Sequence, residues 1–144
     1  MADETNQLRV RLVTPERTLF EHGASAVELP AKSGYMEVLF GHAPLLTELG
    51  AGEVTLHGGP DGPDSISRYN VSWGFAEVLP DRVTILASDA LKPEEIDVPR
   101  AQQQLDRGHK EWEKAGDSEE AYTEALHVIA EAEAKLATAA EKQS

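Results

Sequence analysis

A domain of short antiparallel β-strands followed by a two-helix hairpin is predicted by three observations. Hydrophobic residues alternate with polar ones at period two through the first ninety residues, as in "LRVRLV". Turn residues interrupt these runs at short, regular spacing. Near Lys92-Pro93 the composition changes to Ala, Glu, Gln and Lys, with apolar residues recurring every three or four positions. The predicted boundary separates residues 1–90, a β-sandwich or barrel, from 91–144, a helical hairpin.

The strands follow in order. In the first, Leu8, Val10 and Leu12 face one side, and Arg9 and Arg11 the other. "ASAVELPA" (24–31), "GEVTLHGG" (52–59), "SISRYNVSW" (65–73), "GFAEVLPD" (74–81) and "RVTILASD" (82–89) continue the style. "HGGPDGPDS" (57–65) reads as the longest loop, and Pro80-Asp81 as the turn of a tight hairpin. In "GHAPLLTELGAGEV" (41–54), His42 and Pro44 sit in a stiff turn. Leu45 and Leu46 are expected to enter the core, with a recognition loop as the alternative reading.

The first helix is predicted to place Val98, Ala101, Leu105, Gly108, Trp112 and Ala115 on one stripe. Gly116 closes it. Asp117 is the expected cap of the second helix, with Glu120 completing a capping box. Tyr122, Leu126, Ile129, Leu136 and Ala140 form the second stripe. A short connection between two amphipathic helices favours an antiparallel hairpin.

Composition excludes several functions. The net charge of −13 opposes nucleic-acid binding, which needs clustered cations, and adsorption to anionic lipid. Without cysteine there is no thiol or disulfide chemistry. The polar start "MADETNQLRV" lacks the features of a signal peptide, and no apolar run suits a membrane span. Phosphate-loop, GxSxG and HExxH motifs are absent, and His22, His42, His57, His109 and His127 are scattered. No catalytic or metal site is expected, which disfavours a sandwich-fold hydrolase. The stretch "EEIDVPRA" (94–101) has two readings. Asp97 is a good N-cap ahead of Val98 and Pro99. A helix start carrying Arg100 could instead hold a phosphate.

Four ordered motifs carry a family resemblance: "LVTPERTLFE", "AKSGYMEVLFGHAPLLTELGAGEV", "VSWGFAEVLPDRVTILASDA" and "IDVPRA". The sequence resembles the epsilon subunit of bacterial F-type ATP synthase. The resemblance implies a flattened antiparallel sandwich of about ten strands and a C-terminal regulatory hairpin. It implies a non-catalytic rotor subunit of the central stalk, coupling proton translocation to ATP synthesis. The partners implied are the gamma subunit and the c-subunit ring, with alpha and beta subunits contacted by the hairpin. The location implied is peripheral, on the cytoplasmic face of the bacterial inner membrane. The loop implied to face the c ring is matched by Ser33, Gly34, Gly41 and His42, with Tyr35, Met36 and Glu37 standing where the family has acid, leucine and glycine. Trp73 replaces the first glycine of the family's pair before "GFAEV".

No cofactor is required, and ATP is the one ligand the family suggests. Ile96, Asp97, Arg100 and Ala101 match the nucleotide motif of ATP-binding members. The upstream acid is replaced by Leu91, and no arginine follows Arg107. From Asp117 onward, seven carboxylates face two lysines. ATP binding is therefore expected to be weak, which disfavours a stand-alone ATP-sensing module. Inhibitory members use a basic second helix against an acidic segment of the beta subunit, so inhibition by this tail is expected to be weak as well.

Overall fold

The computed structural model describes residues 7–143, and the chain divides between Leu91 and Lys92 into two units. The first contains seven strands: β1 (Leu8–Val13), β2 (Thr18–Ala24), β3 (Ala26–Ala31), β4 (Gly34–Leu39), β5 (Leu45–His57), β6 (Ile66–Leu79) and β7 (Arg82–Leu91). They hydrogen-bond in the order β2-β1-β7-β6-β5-β3-β4. Every pair is antiparallel except β1 with β7, which run parallel.

The sheet folds over on itself to make the sandwich. Strands three places apart in a flat sheet lie about 14 Å from one another. Yet Phe20 of β2 and Tyr69 of β6, three places apart, have ring centroids 4.7 Å apart. Between the layers lies one core that includes Leu8, Val10, Leu12, Val27, Leu29, Val38, Val54, Leu56, Val71, Val78, Val83 and Ile85, all fully buried.

The strand count is seven rather than about ten, and β5 and β6 run unbroken for 13 and 14 residues. The two strands expected at 65–73 and 74–81 are one. Trp73 and Gly74 have φ of 55° and 126°, and the pairing register to β5 and β7 is the same before and after them. The chain bends there without slipping. A Cβ on Gly74 would collide with the backbone carbonyl oxygen of Leu86, so glycine is required. Trp73 takes up a left-handed conformation that favours glycine. At Pro30, by contrast, which lacks an N–H, the register of β3 against β5 shifts between Glu28 and Ala31.

The expectation that Leu45 and Leu46 enter the core is wrong. Both lie in β5 and are exposed, Leu46 to 69%. Leu49 is the buried leucine of that segment. The hairpin turns were read correctly: His57 pairs with Ile66 across the 58–65 loop, and Leu79 with Arg82 across Pro80-Asp81.

The second unit begins with a 3₁₀ turn (Pro93–Glu95), followed by α1 (Val98–Lys114) and α2 (Glu119–Gln143). Gly116, at φ 56°, terminates α1. The cap of α2 is Ser118 rather than Asp117: the Ala121 N–H donates to Ser118 Oγ at 3.2 Å. The buried residues of the first helix, Ala101, Gly108 and its C-cap Ala115, all lie on the expected stripe, whereas those of α2, Ala125, Ala132, Thr138 and Ala139, do not. Val98, Trp112, Tyr122, Leu126 and Ala140 are exposed. The distance between packed helices follows the size of the side chains at the contact. Gly108 leaves room for Val128 and Ile129 against it, and Trp112 and Tyr122 lie ring against ring at 6.0 Å.

Candidate functional site

Two features of the structure could carry function: one face of the sandwich, and the start of α1.

The sandwich face is built by register. Val13 of β1 pairs with Leu86 of β7, Leu86 with Phe75 of β6, and Phe75 with Glu48 of β5. Paired residues project from the same side of a sheet. Phe75 is 49% and Leu86 52% exposed, although their chain neighbours Ala76, Ile85 and Ala87 are buried. Leu46 lies on the same side, one row along, because it pairs with Glu77 two residues from Phe75. Val13, Pro15, Phe75 and Leu86 line a shallow groove of about 420 Å³. Apolar side chains on the outward phase of three adjacent strands form an exposed patch, and burying it would release about 25 cal/mol per Å². The sequence reading missed this face. The available signal was the outward phase of Phe75 and Leu86, each flanked by inward-facing residues.

The residues expected to form one rotor-facing loop are not one loop. Gly34, Tyr35, Met36 and Glu37 belong to β4, which pairs with β3 and is an edge of the sheet. Ser33 and Gly34 stand at its first end, and Gly41 and His42 follow its last. A strand of six residues is about 20 Å long, so the two turns lie at opposite ends. Tyr35 is exposed, while its hydroxyl accepts from the Glu53 N–H at 3.0 Å and so holds the edge against β5. Met36 packs partly on the core. Near the other turn, the Gly41 N–H donates to the Pro80 carbonyl at 2.7 Å and ties that end to the β6–β7 hairpin.

At the start of α1, Asp97 is extended and its Oδ1 accepts from the Arg100 N–H at 3.1 Å. The Ala101 N–H donates to the Asp97 carbonyl at 3.0 Å. Just upstream, the Lys92 N–H donates to Glu95 Oε1 at 2.8 Å. Asp97 of the motif is thus used for capping. Ile96 is half-buried and Ala101 buried. The Arg100 side chain is exposed, with no hydrogen-bond or ion-pair partner among the described residues. The opposite wall follows from helix register. Gln104 Nε2 donates to the Val128 carbonyl at 3.2 Å, and Gly108 abuts Val128 and Ile129. One turn back on α1 is one turn forward on α2 in an antiparallel pair. Arg100 and Ala101 therefore lie across from the stretch Glu131–Leu136, "EAEAKL", with two carboxylates and one lysine. This set of donors does not fit a triphosphate, which needs convergent cations. Among the described residues, no three His, Asp or Glu side chains gather as a metal site.

The structure thus combines a β-sandwich that carries an exposed apolar patch with a pair of helices. Residues 7–93 match the model of the ATP synthase delta/epsilon chain β-sandwich domain, and the chain belongs to that family, as an epsilon chain. The ATP synthase epsilon chain of Koribacter versatilis is 45% identical over 73% of this chain and 71% of its own length. That of Solibacter usitatus is 41% identical over 94% of this chain and 97% of its own. The fold is shared with a chain of the Euglena gracilis mitochondrial ATP synthase, solved as an OSCP/F1/c-ring assembly. That likeness has a TM-score of 0.75 at 21% identity, over 96% of this chain and 81% of the other.

Proposed function

We propose that this chain is a non-catalytic central-stalk subunit of a bacterial F-type ATP synthase. It turns with the rotor and links the gamma subunit to the ring of c subunits, so that proton flow drives ATP synthesis elsewhere in the enzyme. The observation that carries this reading is the outward stripe of Val13, Phe75 and Leu86, with Leu46 beside it. The stripe runs across β1, β7 and β6 in a member of this family, and gamma is assigned to it. The turn at Ser33-Gly34 and the exposed Tyr35 are assigned to the c ring.

The physical demand on such a link is stiffness, not chemistry. A close-packed interior transmits force with little compression. The sandwich meets the demand with a single core whose largest members are fully buried. Its position at the cytoplasmic face of the inner membrane is held through the complex. Among the described residues no helix is long and apolar enough to cross a membrane.

The hairpin is the regulatory part and reaches toward the alpha and beta subunits. Its second helix is acidic, so approach to an acidic segment of beta costs affinity. Weak inhibition of ATP hydrolysis follows. Affinity capture from detergent-solubilised membranes tests the assignment. The tagged full chain should recover gamma and the c ring together. Recovery of neither would refute it.

A further inference from the structure

We infer that the partner covering the apolar stripe brings carboxylates to three arginines at one end of it, Arg9, Arg11 and Arg82. The inference rests on the reading that gamma occupies this face, and it adds the chemistry that gamma must present there.

Register puts the arginines and the stripe on one surface. On β1, Arg9, Arg11 and Val13 share the outward phase, since Leu8, Val10 and Leu12 are fully buried. On β7, Arg82, Thr84 and Leu86 share it, since Val83 and Ile85 are fully buried. The parallel pairing sets Arg9 beside Arg82, Arg11 beside Thr84 and Val13 beside Leu86. The surface is therefore basic at one end and apolar at the other. Four residues of strand, from Arg9 to Val13, span about 13 Å. A fitting partner presents carboxylates about 13 Å from its apolar contacts, which is about nine residues along a helix.

The chain's own charges leave this end unsatisfied. Acidic residues outnumber basic ones by 26 to 13, yet two guanidiniums stand side by side here. Like charges on paired strand positions repel. Arg9 and Arg11 share one carboxylate, Glu21 of β2, at 3.7 and 3.9 Å. All three side chains are well exposed, so these pairs contribute little. Arg82 is exposed and has no ion-pair partner among the described residues. Asp81, next to it in the turn, and Glu77, two residues along the paired strand, make none with it. An incoming carboxylate relieves the repulsion between Arg9 and Arg82 and accepts charge-assisted hydrogen bonds from them. The groove at the other end, lined by Val13, Pro15, Phe75 and Leu86, contains no charged residue. Orientation of the partner along the stripe therefore falls to the arginines.

Titration of the full chain carrying Arg9→Gln and Arg82→Gln against purified gamma tests this. Binding should be about tenfold weaker, with most of the loss in the association rate. Raising salt from about 0.05 to about 0.5 M should weaken the parent complex and change the variant complex much less. The melting temperature should hold or rise, because the variant removes a like-charge pair. Undiminished binding by this variant, alongside weakened binding by Phe75→Asp, would overturn the inference and leave gamma on the stripe. Undiminished binding by both would overturn the inference together with the assignment of gamma. Arginine-dependent sedimentation with phosphatidylglycerol vesicles would give the arginines to a lipid surface and would also overturn it.

Discussion

Replacing Gly74 by alanine should damage the sandwich far more than one methyl group suggests. The residue sits at φ 126°, where an L side chain costs on the order of 1–3 kcal/mol. Its added Cβ would collide with the Leu86 carbonyl oxygen and stand 3.0 Å from the Ala87 Cα. These are backbone atoms of a paired strand, so they cannot rotate away. Relief requires β6 to separate locally from β7, with the loss of one or two ladder hydrogen bonds at about 1 kcal/mol each. Together these terms give about 2–5 kcal/mol. For a domain of this size each kcal/mol moves the melting temperature by about 4–8 °C, so Gly74→Ala should melt at least about 8 °C lower. Differential scanning calorimetry of the full chain measures it. A Gly74→Ala chain melting within about 2 °C of the parent would refute the argument that the bend demands glycine. Because Phe75 is the next residue, the same substitution should also disturb the docking face.

Asp97→Ala removes the cap of α1 and should destabilise the first turn by about 1 kcal/mol, read as roughly fivefold faster hydrogen exchange in that helix. Exchange rates that do not change would show that the hydrogen bond to the Arg100 amide contributes nothing. Ser118→Ala should have a similar effect on the start of α2, whereas Asp117→Ala should be nearly silent; the reverse order would contradict the cap assignment. Removing residues 93–144 should leave ATP hydrolysis by the assembled enzyme nearly unchanged. Activation of about tenfold or more, equivalent to about 1.4 kcal/mol, would contradict weak inhibition by an acidic helix.

Much of the sandwich was legible because burial on one face imposes period two. Leu8, Val10 and Leu12, and Val83, Ile85 and Ala87, show it plainly, and all six are buried. The bend at Trp73-Gly74 was not legible as a continuous strand. Local sequence signals a break there, whereas the ladders on both sides keep the register through it. Leu45 and Leu46 misled for a related reason: hydrophobicity was taken for burial, but their strand opens on an exposed surface. The same error recurs in the hairpin: Val98, Trp112, Tyr122 and Leu126 were assigned to the interface but are exposed, while Gly108 lies against Val128 and Ile129 as its place on the stripe implies. The capping role of Asp97 was readable from its position ahead of Val98-Pro99. The cap of α2 was misplaced by one residue because Asp117 and Ser118 are both suitable and only the backbone path chooses between them. The docking face escaped notice because its residues come from three strands distant in sequence, and only pairing aligns them.

The central claim is that the outward stripe holds the gamma subunit, and an affinity measurement on Phe75→Asp tests it most directly. About half of a phenylalanine surface, roughly 100 Å², is available for burial, worth about 2.5 kcal/mol at 25 cal/mol per Å². Titration of the full chain against purified gamma should therefore show about a hundredfold weaker binding for Phe75→Asp, with the melting temperature little changed because the residue is outside the core. Undiminished affinity in a folded Phe75→Asp chain would place gamma on another surface and contradict the account.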